Sequence, residues 1–180
     1  MPRLFSGIEI PSTLADGLSL MSGGVDGARW VNAESFHITL RFIGDIDDAT
    51  ANDVVAALRA TAGESFSLRL SGMGSFGSRK PRSIWAGLET SAALNDLQAR
   101  QERACQMIGL PPDGRKFTPH VTLARLRSGV YYPDVEHYLA AHSGYCSVPF
   151  EVNQFVLYSA KPSTGGGPYV VEETYPLASN

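Results

Sequence analysis

The chain has 180 residues, 43% hydrophobic and 18% charged, which is enough for one packed domain or two small lobes sharing a core. Its net charge of −3 excludes a global basic field for long nucleic acid, but leaves room for a short or terminal nucleic-acid substrate held by a local cationic patch. The only two cysteines, Cys105 and Cys146, form no disulfide scaffold, and no apolar stretch approaches the roughly 18 residues of a membrane span. The N-terminal stretch lacks the apolar core of a signal peptide, so a cytoplasmic protein without membrane association is expected.

In chain order, RLFSGIEI (3–10) has strand composition and is closed by Pro11. Ser12 is placed to cap a short helix reaching about Met21. A glycine-rich loop follows, then a brief strand at Trp30–Val31 and a clear strand over 36–43 ending at Gly44. Asp47 or Asp48 caps a helix over about 49–61. Residues 66–89 read as a hairpin-like pair of strands around the cationic turn GSRKPR. A helix of about 16 residues starts at Ala92, with Leu94, Leu97, Ala104, Cys105 and Ile108 inward and Gly109 as its stop. After the loop LPPDGRKFTP come a strand over 120–126 and a helix with Pro133 in its first turn, ending near His142. A long strand FEVNQFVLYSA, the turn KPSTGGG and a final strand YVVEETYPL complete the chain. Strands sit in pairs around helices, with no Rossmann or Walker glycine fingerprint and no linker that demands independent domains. A two-lobed α+β fold over residues 1–180 as one domain is the expectation.

One word occurs twice: HITL from His37 and HVTL from His120, 83 residues apart. Side chains two apart on a strand share a face, so His37 and Thr39 lie on one face with Ile38 and Leu40 on the other, and the same holds for the second copy. The apolar partners anchor each strand, and the polar pairs are left for a groove. Two imidazoles and two hydroxyls suit phosphodiester hydrolysis. One histidine takes a proton from water, the other gives one to the leaving oxygen, and threonine hydroxyls hold the non-bridging oxygens. The residues alone leave open which histidine gives and which takes.

Arg41 lies four residues beyond His37, on the same face of an undistorted strand, where a guanidinium would reach a phosphate. Arg125 lies five beyond His120, nominally on the opposite face unless the strand ends or bulges. Arg79 and Lys80 in the cationic turn, with Phe76 beside them to stack a base, are possible RNA contacts. Trp30 and Trp85 read as core residues. His137 and His142 are off a common helix face and form no metal-ligand pattern, so no metal or other cofactor is expected.

HITLRFIGD and FTPHVTLARL resemble the two signature motifs of the 2H phosphoesterase superfamily, and within it the LigT-like RNA 2′,3′-cyclic phosphodiesterases, also called 2′-5′ RNA ligases. RLFSGIEIP, GSFGSRKPRSIWAGL, FVLYSAK and YPL fall in the family's order, so the resemblance covers nearly the whole chain. Ser6 and Gly7 depart from it, standing where bulkier apolar residues are usual, as does the glycine-rich turn KPSTGGGPY. The resemblance implies a bilobal α+β fold of two antiparallel sheets with flanking helices, a pseudo-twofold axis and a cleft between lobes. It implies conversion of a terminal RNA 2′,3′-cyclic phosphate, or a small cyclic nucleotide, to a 2′-phosphomonoester, with reversible 2′-5′ ligation as a further activity. It makes His37 the proton donor and His120 the base, with Thr39 and Thr122 on the phosphate, and it includes an arginine at the place of Arg125. An RNA- or nucleotide-binding module without turnover and a cyclic phosphodiesterase for another small nucleotide are the competing readings. Nothing in the sequence shows a strong self-association surface, and a monomer is expected.

Overall fold

Alternation within the short apolar segments builds ten strands and four helices among the described residues, 1–161 and 167–179 of this computed structural model. Strand β1 (Arg3–Glu9) leads into helix α1 (Ser12–Ser19), β2 (Ala28–Trp30), a single 3-10 turn (Ala33–Ser35) and β3 (His37–Asp45). Helix α2 (Asp48–Arg59), β4 (Phe66–Leu68), β5 (Leu70–Phe76), β6 (Ser83–Leu88) and α3 (Ala92–Met107) follow. The chain ends with β7 (Val121–Leu126), α4 (Tyr132–Ala141), β8 (Phe150–Val152), β9 (Gln154–Ala160) and β10 (Val170–Pro176). The expected turn over KPSTGGG falls largely at 162–166, outside the described residues.

The local signals explain most boundaries. Asp47 accepts from the Thr50 N–H at 2.7 Å and Ser91 from the Leu94 N–H at 3.1 Å, capping α2 and α3. Gly109 ends α3 with a φ of +93°, and the Leu110 N–H closes on the Cys105 carbonyl. The expected Ser12 cap is not made: Ser12 is already helical, and Pro11 precedes it without a side-chain hydrogen bond. The expected first strand of the hairpin divides at Arg69. Only β5 pairs with β6, while β4 leaves to pair with β8. The long strand near the C-terminus likewise divides at Asn153 into β8 and β9, which serve different sheets.

The result is α+β with two antiparallel sheets, one of eight strands and one of two. The large sheet runs β10-β9-β1-β3-β7-β6-β5, with β2 added alongside β7. Two similar halves meet at β3 and β7. Each half reads strand, helix, motif strand, helix: β1, α1, β3, α2 in one and β6, α3, β7, α4 in the other. The main core lies on one face of the sheet, where Ile38, Val121, Leu123 and Ile84 pack with Val54, Leu58, Leu94, Leu97 and Val135 from the helices. The opposite face carries a small second cluster of Phe5, Val156 and Tyr158.

Candidate active site

Ile38 and Val121 are direct cross-strand partners, so the two copies of the repeated word run antiparallel beside each other at the centre of the sheet. Both side chains are fully buried in the core, which turns His37, Thr39, His120 and Thr122 to the open face. The two motifs therefore reach one groove from neighbouring strands of a continuous sheet.

Each histidine is held in the same way. His37 Nδ1 donates to the Ser35 carbonyl at 2.8 Å, and His120 Nδ1 donates to the Thr118 carbonyl at 2.6 Å. A carbonyl only accepts, so both rings carry the proton on Nδ1 and present Nε2 to the groove. The Thr39 hydroxyl donates to His37 Nε2 at 3.1 Å. Burial lowers the His37 pKa to about 4; the Ser35 carbonyl opposes this, and the charges of Arg125 and His120 add to the lowering. Burial also lowers His120, against the pull of the Thr118 carbonyl and with help from Arg125. Both imidazoles are therefore neutral at pH 7 in the free protein.

Backbone bulges decide the arginines. On β3 the register slips between the Gly7–Thr39 and Ser6–Arg41 pairs, leaving Leu40 without a partner on β1. On β7 it slips between the Trp85–Thr122 and Ile84–Ala124 pairs, leaving Leu123 unmatched. In each strand two consecutive residues are then buried, Leu40 with Arg41 and Leu123 with Ala124. The bulge brings Arg125 back to the groove face, where its charge acts on both histidines. It turns Arg41 the other way. Arg41 is 5% exposed, paired with Glu102 of α3 and donating to the Phe42 and Pro111 carbonyls, so the expected phosphate contact is replaced by an internal one. Phe42 occupies the place in the first half that Arg125 holds in the second, opposite Phe5 on β1.

Aromatic walls flank both imidazoles. The rings of Phe5, Tyr169 and Tyr158 lie 5.0, 5.1 and 5.5 Å from that of His37. Phe76 and Trp85 lie 4.9 and 5.8 Å from His120. Trp85 is thus a groove residue, not the core residue that its composition suggests, whereas Trp30 packs on Tyr138 beneath the sheet as expected. A glycine makes room for a large ring in each half: a Cβ on Gly74 would meet the Trp85 indole at 2.3 Å, and one on Gly7 the Ile38 carbonyl at 2.7 Å and Tyr158 at 3.2 Å. Ser6 is buried, donating to Gln101 Oε1 at 2.6 Å and accepting from the Arg41 N–H at 3.1 Å. The departures at Ser6 and Gly7 therefore each have a structural job.

Phe76 stands beside His120, with its ring 4.9 Å from the imidazole, and Arg79 and Lys80 are exposed on the turn after it. A cavity of about 350 Å³ opens next to His37, walled by Tyr158, Tyr169, Phe36, Ser35, Glu9 and Glu34. The tyrosines were not singled out from sequence, although the unbroken apolar run Phe155–Tyr158 indicates a strand covered on both faces. Among the described residues no group of three His, Cys, Asp or Glu side chains is arranged to hold a metal ion, and no helix is long and apolar enough to cross a membrane.

The model of the LigT like Phosphoesterase family matches residues 8–85 and 88–169. The RNA 2′,3′-cyclic phosphodiesterase of Aquifex aeolicus is 33% identical over 156 residues, covering 82% of this chain and 81% of that protein. The enzyme of the same name from Geobacillus stearothermophilus is 36% identical over 163 residues, 86% of this chain but 51% of its own length, so the chain spans about half of that relative. The fold matches E. coli LigT, solved with 3′-AMP, at a TM-score of 0.77 and 21% identity, covering 98% of this chain and 99% of that one. With the family match extending across both motif-bearing halves, the chain belongs to the LigT-like phosphoesterases.

Proposed function

We propose that this protein hydrolyses the terminal 2′,3′-cyclic phosphate of RNA to a 2′-phosphomonoester by two-histidine acid–base catalysis. The observation that carries the reading is the side-by-side placement of His37, Thr39, His120 and Thr122 on one open sheet face with Arg125. Relatives named for this activity support the substrate class.

His120 Nε2, its lone pair left free by the Nδ1–H bond to Thr118, takes a proton from water as the oxygen attacks phosphorus. The bond from phosphorus to the 3′ oxygen breaks, and His37 Nε2–H gives its proton to that oxygen. Thr39, Thr122 and Arg125 balance the charge on the non-bridging oxygens. His120 then releases its gained proton to solvent, and solvent replaces the one lost by His37. Because His37 is neutral in the free protein, the negative phosphate itself must draw the proton onto it on binding. A 5′-hydroxyl in place of water would give a 2′-5′ linkage through the same transfers.

The leaving 3′ oxygen lies at His37, so the terminal ribose and base lie on the His37 side. The neighbouring cavity with its tyrosine walls has the size and stacking surfaces for a nucleoside. Phe76, Arg79 and Lys80 serve the RNA or the open side of the phosphate at the other end of the groove. We place the protein in the cytoplasm as a monomer whose two halves act as one domain, in keeping with its unpaired cysteines and shared core.

The decisive experiment incubates the protein with an oligonucleotide ending in a 2′,3′-cyclic phosphate, in EDTA, and identifies the product. A 2′-phosphate is expected. Binding without turnover would favour the module reading, and turnover only with added metal would sink the mechanism.

A further inference from the structure

Arg41, turned from the groove by its bulge, is buried at the centre of a partly buried polar network joining three segments. Its Nε donates to Glu102 on α3 and its Nη2 to the Pro111 carbonyl at 2.6 Å. Glu102 also accepts from the Asp113 N–H at 2.9 Å and from Gln106 at 2.9 Å. Burial would raise the Glu102 carboxyl, but the hydrogen bonds from Gln106, Asp113 and Arg41 outweigh it and hold it below the usual carboxylate range. Pro111 and Asp113 belong to the segment 110–119, which has no helix or strand of its own and leads directly into His120. The same segment supplies the Thr118 carbonyl that fixes the His120 ring.

We infer that Arg41 is a positioning residue for His120: with Glu102 it anchors the segment 110–119 so that the Thr118 carbonyl holds the proton on His120 Nδ1 and leaves Nε2 free. A residue of the first motif thereby sets the histidine of the second. Leu110 and Phe117 pack the two ends of the segment against the core. Between them its own ion pair, Arg115 with Asp113, is local and largely exposed, so the polar hold on the middle of the segment comes from Arg41 and Glu102. Lysine would keep the charge at position 41, but it lacks the rigid fork that reaches Glu102 and two carbonyls at once.

The inference rests on His120 being an acid–base group, but its test does not depend on turnover. Nitrogen-resolved NMR of the imidazoles reports each tautomer separately, with His37, fixed by Ser35, as the internal control. In Arg41→Met the His120 Nδ1–H population should fall while His37 keeps its tautomer. The kcat for the cyclic phosphate should fall roughly 10–100-fold with KM little changed. Arg41→Lys should recover only part of both losses. Should Arg41→Met fail to fold, Glu102→Gln removes the ion pair while keeping an acceptor on α3, and the same selective change at His120 is expected. A folded variant in which His120 keeps its tautomer, or in which both histidines change together, overturns the inference. A selective change at His120 in a protein without cyclic phosphodiesterase activity would sustain the anchoring and sink the proposed reaction.

Discussion

Ile38 faces Val121 across β3 and β7, the one residue pair that these two strands share. Each is the second residue of its motif, so the antiparallel pairing sets each histidine towards the other motif's threonine, with the two histidines on a diagonal across the seam of the same face. A site that needs two histidines is thus assembled from one backbone contact between two copies of one strand pattern, with the pair buried at 0% exposure as its anchor.

Replacing His37 or His120 by alanine should each lower the rate with a cyclic-phosphate RNA roughly 10²–10⁴-fold. The roles separate with an aryl phosphodiester, whose leaving group departs without a proton. His37→Ala should retain most of the activity toward that substrate, and His120→Ala should not. The reverse pattern would exchange donor and base.

Arg125 disfavours the charged form of both imidazoles. Arg125→Gln should therefore raise both histidine pKa values in an NMR titration while lowering kcat/KM at least tenfold, because a charge facing the phosphate is lost. Unmoved pKa values would remove Arg125 from the groove.

Folding stability should depend on the His37 proton. Its pKa is about 4 in the fold, against the ordinary value of 6.5 expected when unfolded. Between these values the unfolded chain binds the proton and the folded one does not, so stability falls as pH drops from 6.5 towards 4 and this loss is complete below. The loss is on the order of 3 kcal/mol. Denaturant midpoints measured across this range should be flatter for His37→Gln than for the parent.

Gly7→Ala should destabilise the protein by about 1–3 kcal/mol, since the new methyl meets the Ile38 carbonyl, which is backbone and cannot swing away. It should also disturb Tyr158 beside His37. A midpoint equal to the parent's in chemical denaturation would contradict the close approach.

Tyr169→Ala should raise KM for a cyclic-phosphate dinucleotide roughly tenfold while changing kcat less, if that ring is the platform for the terminal base. An equal fall in kcat would point instead to a disturbed His37 ring, which Tyr169 contacts edge-on.

Much of this site is legible in the letters because strand alternation is a rigid rule: once Ile38 and Val121 are buried, the histidines must face away. The rule fails three residues further on, where each motif strand bulges. A bulge is a backbone event without a residue signature here, and it exchanges the faces of everything after it, which is why Arg41 and Arg125 traded places. Trp85 was hidden for another reason. Its strand is bordered on one side by Gly74, and a large ring over a glycine is a tertiary fact that no single segment displays. The division of the long strand at Asn153 follows from two sheets competing for it, equally invisible in its local composition.

The matched bulges have one more consequence. A groove with two identical halves would be blind to direction and would accept a dinucleotide either way round, half of the time with the wrong oxygen at the wrong histidine. The fifth position after each histidine breaks that degeneracy: arginine in one half, phenylalanine in the other. An RNA end is itself lopsided, with charge along its phosphates and an apolar face on its terminal base. On the proposed function, this pair adds to the one-sided tyrosine cavity in giving a near-symmetric scaffold a polarity, and the RNA end a single way to be read.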